Sequence, residues 1–162
     1  MLIYNRHKTK VYNFTLQMLK DKAAAEDVVQ NAFLKLYLNL DNIKNKSSVQ
    51  FWIFKTARNE IYGIFRKEKT RNEIHYDSID ENAYAFSESQ VAESFEKKEL
   101  KQLVMNNLEL LPQEQKEVFL LKEYGELSYR EIADLLKIDK SIVKSRLYKT
   151  RQKLISQLSK VL

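Results

Sequence analysis

Apolar residues recur at helical spacing along most of the chain. Val11, Phe14 and Met18 share one face of a first predicted helix. A second helix is predicted over residues 24–40, with Asp21 as its amino-terminal cap. Its apolar stripe is predicted to belong to the core and consists of Val29, Ala32, Phe33, Leu36, Tyr37 and Leu40.

A third helix is predicted over residues 49–69, after a polar loop at residues 42–48. Its inward face is predicted to consist of Val49, Trp52, Ile53, Ala57, Ile61 and Ile64. The 162-residue chain has only two glycines and one proline, so it has very few of the turn-forming residues that β-hairpins need. The sequence therefore predicts an all-α fold.

The carboxy-terminal part predicts a second helical unit of four helices. The first two are marked by Leu100, Leu103, Leu108, Val118, Leu121 and Tyr124. Ser128 and Glu131 then form a capping box, which predicts the start of a short third helix. The apolar face of that helix holds Tyr129, Ile132, Ala133 and Leu136. Asp139 is predicted to cap the fourth helix, whose inward residues are Val143, Leu147 and Leu154.

This fourth helix is strongly basic. Between Lys140 and Lys153 the sequence holds six basic residues and no acidic one. A capped short helix, a tight turn and a longer basic helix are typical of the helix-turn-helix, whose second helix enters the DNA major groove. The alternative is that the charges only solvate the outside of a bundle. The supporting helix, the turn and the interleaved Tyr148 favour DNA binding.

Net charge divides the chain into three parts. Residues 1–72 carry a net charge of +8, residues 73–96 carry −7, and residues 97–162 carry +5. Two basic blocks joined by an acidic linker predict two modules that face nucleic acid. The chain has no cysteine and no apolar run long enough to span a membrane. We therefore expect a cytoplasmic protein without membrane insertion.

Within residues 1–72, two predicted helices each carry a second line of residues outside the apolar face that is predicted to form the core. Opposite its apolar stripe, the second helix carries Asp27, Gln30, Asn31, Leu34 and Leu38. This line predicts either an ordinary surface or a contact with another protein.

The third helix carries a basic line on its outer face, made of Lys55, Arg58, Asn59, Tyr62 and Arg66. Cations hold phosphates, an aromatic ring stacks on a base, and an amide reads a base edge, so this combination suits single-stranded DNA. The alternative is a solvated face on which the long side chains extend to water.

The stretch LSYREIADLLKIDKSIVKSRLYKTRQKL resembles region 4 of the bacterial sigma factors, most closely those of the extracytoplasmic-function (ECF) group. Two positions depart from the family pattern: Lys137 stands at a turn position that is usually glycine, and Ser141 is the small residue that begins the recognition helix. The resemblance implies binding of the −35 promoter element as duplex DNA. Lys144, Ser145, Tyr148 and Lys149 are expected at the major groove, and Arg130, Lys140 and Arg146 at phosphates. Ser141 is expected as a further −35 contact.

The segment AEDVVQNAFLKLY resembles sigma region 2.2, the helix that docks on the clamp coiled coil of the RNA polymerase β′ subunit. Asn31 replaces a usual acidic residue, and Tyr37 replaces a usual tryptophan. The resemblance implies a polymerase-binding surface made of Glu26, Asp27, Gln30, Asn31 and Leu34.

The segment VQFWIFKTARNEIYGIFRK resembles sigma regions 2.3 and 2.4, in which Trp52, Ala57, Arg58 and Asn59 match the family pattern. In the family this helix and the loop before it melt the −10 element and hold a flipped base of the non-template strand. The implied base readers are Asn45, Lys46, Ser47 and Asn59. The other implied −10 contacts are Lys55, Arg58, Tyr62, Arg66 and Lys67.

The resemblance thus implies an ECF-type sigma factor whose partners are promoter DNA and core RNA polymerase, through its β′ clamp and β subunit. Because family members are commonly held inactive by an anti-sigma factor, such a partner is also expected. Region 2 is expected at residues 1–72, the linker at 73–96 and region 4 at 97–162. The sequence has no glycine-rich phosphate loop, nucleophile elbow or metal cluster, so we expect neither catalysis nor a cofactor. Two rivals remain: a stand-alone helix-turn-helix regulator that binds duplex DNA without polymerase, and an adaptor that binds only proteins.

Overall fold

The computed structural model describes residues 2–45, 49–74 and 94–161. Within these ranges all regular structure is helical, which confirms the predicted all-α fold. The helices are α1 (Leu2–Leu19), α2 (Lys22–Asn39), a 3₁₀ turn (Leu40–Asn42), α3 (Val49–Ile74), α4 (Phe95–Glu109), α5 (Gln113–Glu123), α6 (Tyr129–Leu136) and α7 (Lys140–Val161). None of these helices combines the length and apolar character that crossing a membrane requires.

The chain divides into two compact units, Met1–Ala85 and Phe86–Leu162. In the first unit α1, α2 and α3 pack against one another around a small core. The rings of Phe14 and Phe54 meet at its centre, with their centroids 5.7 Å apart. Asp21 caps α2 as predicted, because its carboxylate accepts a hydrogen bond of 3.1 Å from the backbone N–H of Ala24.

The predicted core stripe of α2 is wrong at Tyr37, which is 73% exposed. The buried residues of this helix are Ala25, Val28, Val29, Ala32 and Leu36. Residue 37 lies about 100° around the helix from Leu36, which carries the Tyr37 ring off the buried face. The core also contains Phe54, which is fully buried and was absent from the predicted inward face of α3.

In the second unit α7 packs along α5, α6 and α4. The predicted capping box at the start of α6 is present, because Ser128 and Glu131 each accept a hydrogen bond of 3.1 Å from the other's backbone N–H. Ile132 and Ala133 are buried as expected, whereas Tyr129 and Leu136 are partly exposed. The predicted inward residues of α7, Val143, Leu147 and Leu154, are all buried.

The turn between α6 and α7 has a left-handed backbone, a conformation that glycine adopts more readily than lysine. Lys137 has φ 57° and ψ 47°. The N–H groups of Lys137 and Ile138 both donate to the carbonyl of Ala133, so the end of α6 is satisfied. Asp139 directly precedes α7, and its carbonyl accepts from the N–H groups of Ile142 and Val143.

A buried histidine lies in the first unit. His7 of α1 is 7% exposed, and its Nδ1 has no hydrogen-bond partner within the part of the chain that the structure describes. Burial lowers the pKa of His7 from its usual value, and the positive charges of Lys10 and Arg6 act in the same direction. His7 is therefore neutral at pH 7.

Replacing Lys137 with glycine should raise the free energy of unfolding of the second unit by about 0.5–1 kcal/mol. The left-handed region costs an L-residue about 1 kcal/mol or more, and the larger unfolded-state entropy of glycine offsets part of this gain. Chemical denaturation of the full chain measures the change. Lys137→Ala is the matched control, because it removes the charge and keeps the strained Cβ. Equal stability of Lys137→Gly and Lys137→Ala would contradict the assignment of strain.

The first unit should lose stability as the pH falls below about 6.5, the usual pKa of histidine. Between that value and the lowered pKa of folded His7, the unfolded chain takes up a proton that the folded chain does not, so acid favours unfolding. Unfolding curves at pH 7 and pH 5.5 measure the loss. His7→Gln should show a smaller loss over the same interval, and an identical loss would exclude His7 as its source.

Candidate nucleic-acid and partner interfaces

The outer face of α7 presents most of the predicted −35 residues to solvent. Its inner face is fixed by Val143, Leu147, Thr150 and Leu154, which are buried against the rest of the second unit. Thr150 adds a buried hydrogen bond of 2.7 Å from its hydroxyl to the carbonyl of Arg146. The exposed residues on the outer face are Lys140, Ser141, Lys144, Ser145, Tyr148 and Lys149. The predicted major-groove residues therefore lie on one accessible helix surface.

Lys144 is positioned by a tyrosine of the supporting helix. Its ammonium lies 5.8 Å from the centroid of the Tyr129 ring, and that of Lys122 lies 4.7 Å from the same centroid. Lys122 also donates to the carbonyl of Leu127 at 3.3 Å. Sequence periodicity did not single out Lys122, because its position depends on how α5 packs on α6.

Two arginines of α7 form ion pairs with α5. Arg146 lies 3.5 Å from a carboxylate oxygen of Glu114, and Arg151 lies 3.1 Å from one of Glu123. The hydrogen bond that Arg151 donates to the Glu123 carboxylate raises the pKa of Arg151. Arg146, expected from the sequence at a phosphate, is thus partly buried beside α5, while Arg130 of α6 is exposed.

The outer face of α3 displays the predicted −10 residues. Lys55, Asn59, Arg66 and Lys67 are exposed, and Arg58 and Tyr62 are partly buried. The guanidinium carbon of Arg58 lies 4.4 Å from the centroid of the Tyr62 ring. The edge of that ring also meets Phe65, with centroids 5.5 Å apart. Arg58 and Tyr62 therefore form one fixed cation–π unit within an otherwise extended basic surface.

A pocket of about 440 Å³ lies where the 3₁₀ turn meets the start of α3. It is lined by Asn39, Asn42, Ile43, Lys44, Asn45, Phe51 and Trp52. Aromatic faces beside amide and ammonium groups are what an unstacked base requires. Trp52, predicted to face the core, is partly exposed and lines this pocket. Of the three predicted loop readers Asn45 lies here, and Lys46 and Ser47 fall outside the described residues.

The polymerase-binding residues predicted on α2 share one exposed face. Glu26, Asp27, Gln30 and Asn31 are exposed, and so is Leu34, at 58%. Two further large apolar side chains of α2 extend this surface: Leu38 is 70% exposed and Tyr37 is 73% exposed. An apolar cluster bordered by acids and amides marks a protein contact better than scattered surface leucines do.

Comparison with known proteins shows two family models that match successive parts of the chain. The family model for Sigma-70 region 2 matches residues 3–71, and that for Sigma-70 region 4 matches residues 101–154. The chain is 32% identical over 155 residues to the ECF RNA polymerase sigma factor SigM of Bacillus subtilis (strain 168), a match covering 94% of this chain and 90% of SigM. It is 30% identical over 135 residues to the ECF RNA polymerase sigma-E factor of Escherichia coli (strain K12), covering 78% and 69% respectively.

The fold is similar to that of the sigma factor RpoE from Bartonella quintana, solved in complex with the anti-sigma factor NepR. That comparison has a TM-score of 0.75 at 22% identity and covers 98% of this chain and 92% of the other. CnrH, solved in complex with the cytosolic domain of CnrY, gives a TM-score of 0.68 at 20% identity.

Proposed function

The chain belongs to the ECF group of the sigma-70 family, and we propose that it directs core RNA polymerase to specific promoters and opens them. The observation that carries the proposal is that family models for two sigma regions match in order, while most of the residues proposed to contact DNA on α3 and α7 are exposed. Residues 1–72 would bind polymerase and the −10 element, and residues 97–162 would bind the −35 element. Such a subunit acts by binding and does no covalent chemistry itself. Its place of action is the cytoplasm, where polymerase and promoter DNA lie.

The −35 element is read as duplex DNA by α7. Lys144 and Lys149 donate to base edges or phosphates, and Tyr148 offers an aromatic contact near the centre of the exposed face. Lys140 and Arg130 hold the DNA backbone. Arg146 also contacts the DNA backbone. Its ion pair with Glu114 holds its side chain on the side of α7 that faces α5. One module of this size binds weakly, so tight binding requires the second module on the same polymerase.

The −10 element is captured as single-stranded DNA by α3 and the loop before it. Extruding a base costs a few kcal/mol, which the complex must offset with new contacts. Stacking on an aromatic ring supplies about 1–3 kcal/mol per base, and the pocket beside Trp52 and Phe51 offers such rings. Asn59 reads a base edge, and Lys55, Arg66 and Lys67 hold phosphates along the strand.

The exposed face of α2 binds the β′ clamp, and the second unit contacts the β subunit. Leu34 and Leu38 supply apolar contact, while Asp27 and Gln30 supply polar contacts that fix the register. The anti-sigma complex solved for the structurally similar RpoE motivates the further proposal that an anti-sigma factor holds this chain inactive.

Purified chain added to core polymerase should give selective run-off transcripts from pooled promoter DNA of the source genome. Asn59→Ala and Lys144→Ala should each abolish or strongly reduce these transcripts, because losing one base contact costs about 1–3 kcal/mol. Asn5→Ala and Lys160→Ala are the controls, since both side chains are exposed and lie outside the proposed surfaces. Duplex binding by the chain with no redirected polymerase would favour the stand-alone regulator.

Leu34→Glu should weaken binding to core polymerase by about 1–2 kcal/mol, because it places a charge in the apolar centre of the proposed contact. Fluorescence anisotropy of labelled full chain with core enzyme measures the affinity. Leu2→Glu in α1 is the control, because it makes the same substitution at an exposed leucine of the first unit that lies outside the proposed surfaces. Equal affinities of the two variants would remove α2 from the polymerase contact.

A further inference from the structure

Gly63 is a glycine in the interior of a long helix. It lies midway along α3, a helix of 26 residues. The chain has only two glycines, so glycine is scarce even where turns would use it. Glycine destabilises a helix interior relative to alanine, because the unfolded chain loses more backbone freedom on folding. The presence of a glycine at the middle of α3 therefore calls for an explanation.

The fold supplies no such reason. Gly63 does not have a positive φ, so its backbone is open to any L-residue. A Cβ built at this position meets only Nη2 of Arg66, at 3.8 Å, which is ordinary van der Waals contact. That atom is the end of a flexible, exposed side chain that yields easily. Alanine would thus fit here and strengthen the helix.

The position of Gly63 on α3 supplies a reason. Asn59, Gly63 and Lys67 follow one another at intervals of four residues, so they form one row along the helix. Asn59 and Lys67 are exposed. The Tyr62 ring is occupied with Arg58 and Phe65. Between the Asn59 amide and the Lys67 ammonium the row presents helix backbone that is partly exposed at Gly63, with the Arg66 guanidinium beside it.

We propose that Gly63 is a close-approach position for DNA, at which the sugar–phosphate backbone of the captured −10 strand runs against the backbone of α3. This inference rests on the proposed function and adds a residue to its DNA surface. Asn59 holds a base on one side of the contact, and Lys67 and Arg66 hold phosphates on the other. Any side chain at position 63 would hold the strand away from the helix and lengthen the contacts on both sides at once.

The test is a size series at this position in the full chain, with Gly63→Ala and Gly63→Leu. Gly63→Ala should raise the melting temperature of the first unit by about 4 °C, as removal of an interior helical glycine does in a domain of this size. Run-off transcription with core polymerase should fall about fivefold or more, the factor produced by a small steric misfit, and fall further with Gly63→Leu. Affinity for core polymerase should stay unchanged.

Asn72→Ala is the matched control, because it also raises helix propensity on α3 at an exposed position away from this row. It should stabilise the chain and leave transcription at the wild-type level. A purely structural role for Gly63 predicts that stability and transcription change in the same direction. Greater stability with lower transcription supports the close approach.

The two possible failures are distinguishable. If the wild-type chain does not redirect polymerase, the proposed function and this inference are both overturned. If transcription by the wild-type chain depends on Asn59 while both Gly63 variants transcribe normally, the close approach alone is overturned.

Discussion

Burial of one narrow apolar face on each helix is the constraint on which both units depend. Units of this size bury only a small core, so each helix must place its apolar face accurately against its neighbours. In α7 that face is a single line through Val143, Leu147 and Leu154. Fixing this line fixes the rotation of the helix about its axis. The direction of the outer residues, such as Tyr148 and Lys149, then follows from the rotation of the helix.

Periodicity was sufficient to predict the helices, the caps at Asp21 and Ser128, and the exposed faces of α2, α3 and α7, because each follows from spacing within one helix. Periodicity was insufficient wherever the packing of a neighbouring helix determines whether a residue is buried. Tyr37 continues the apolar stripe of α2 but lies beyond the edge of the α1 and α3 contact. Trp52 shares the apolar character of a core residue yet lines the pocket beside the 3₁₀ turn. The spacing of apolar residues within one helix does not determine how much of its surface the neighbouring helices cover.

The basic run of α7 shows the same limit for charge. In the sequence its six cations are equivalent, and all suit DNA. In the fold α5 presents Glu114 and Glu123, which pair with Arg146 and Arg151. Such pairs at partly exposed positions contribute little stability, but they hold long side chains against α5. The cations that have no acidic helix beside them, such as Lys149, are the ones that point outwards.

Lys137 and Gly63 are two positions where local preference and the observed residue disagree. At Lys137 the left-handed backbone is enforced by the turn, since both N–H groups that close it reach the Ala133 carbonyl whatever the side chain. The cost there has a structural cause. At Gly63 no turn, no positive φ and no crowded neighbour excludes a methyl group. We take a local cost without a structural cause as a sign of a functional site, where real proteins most often break local rules. In the proposed function the partner at this face of α3 is the DNA strand, and Gly63 is the position at which it would come closest.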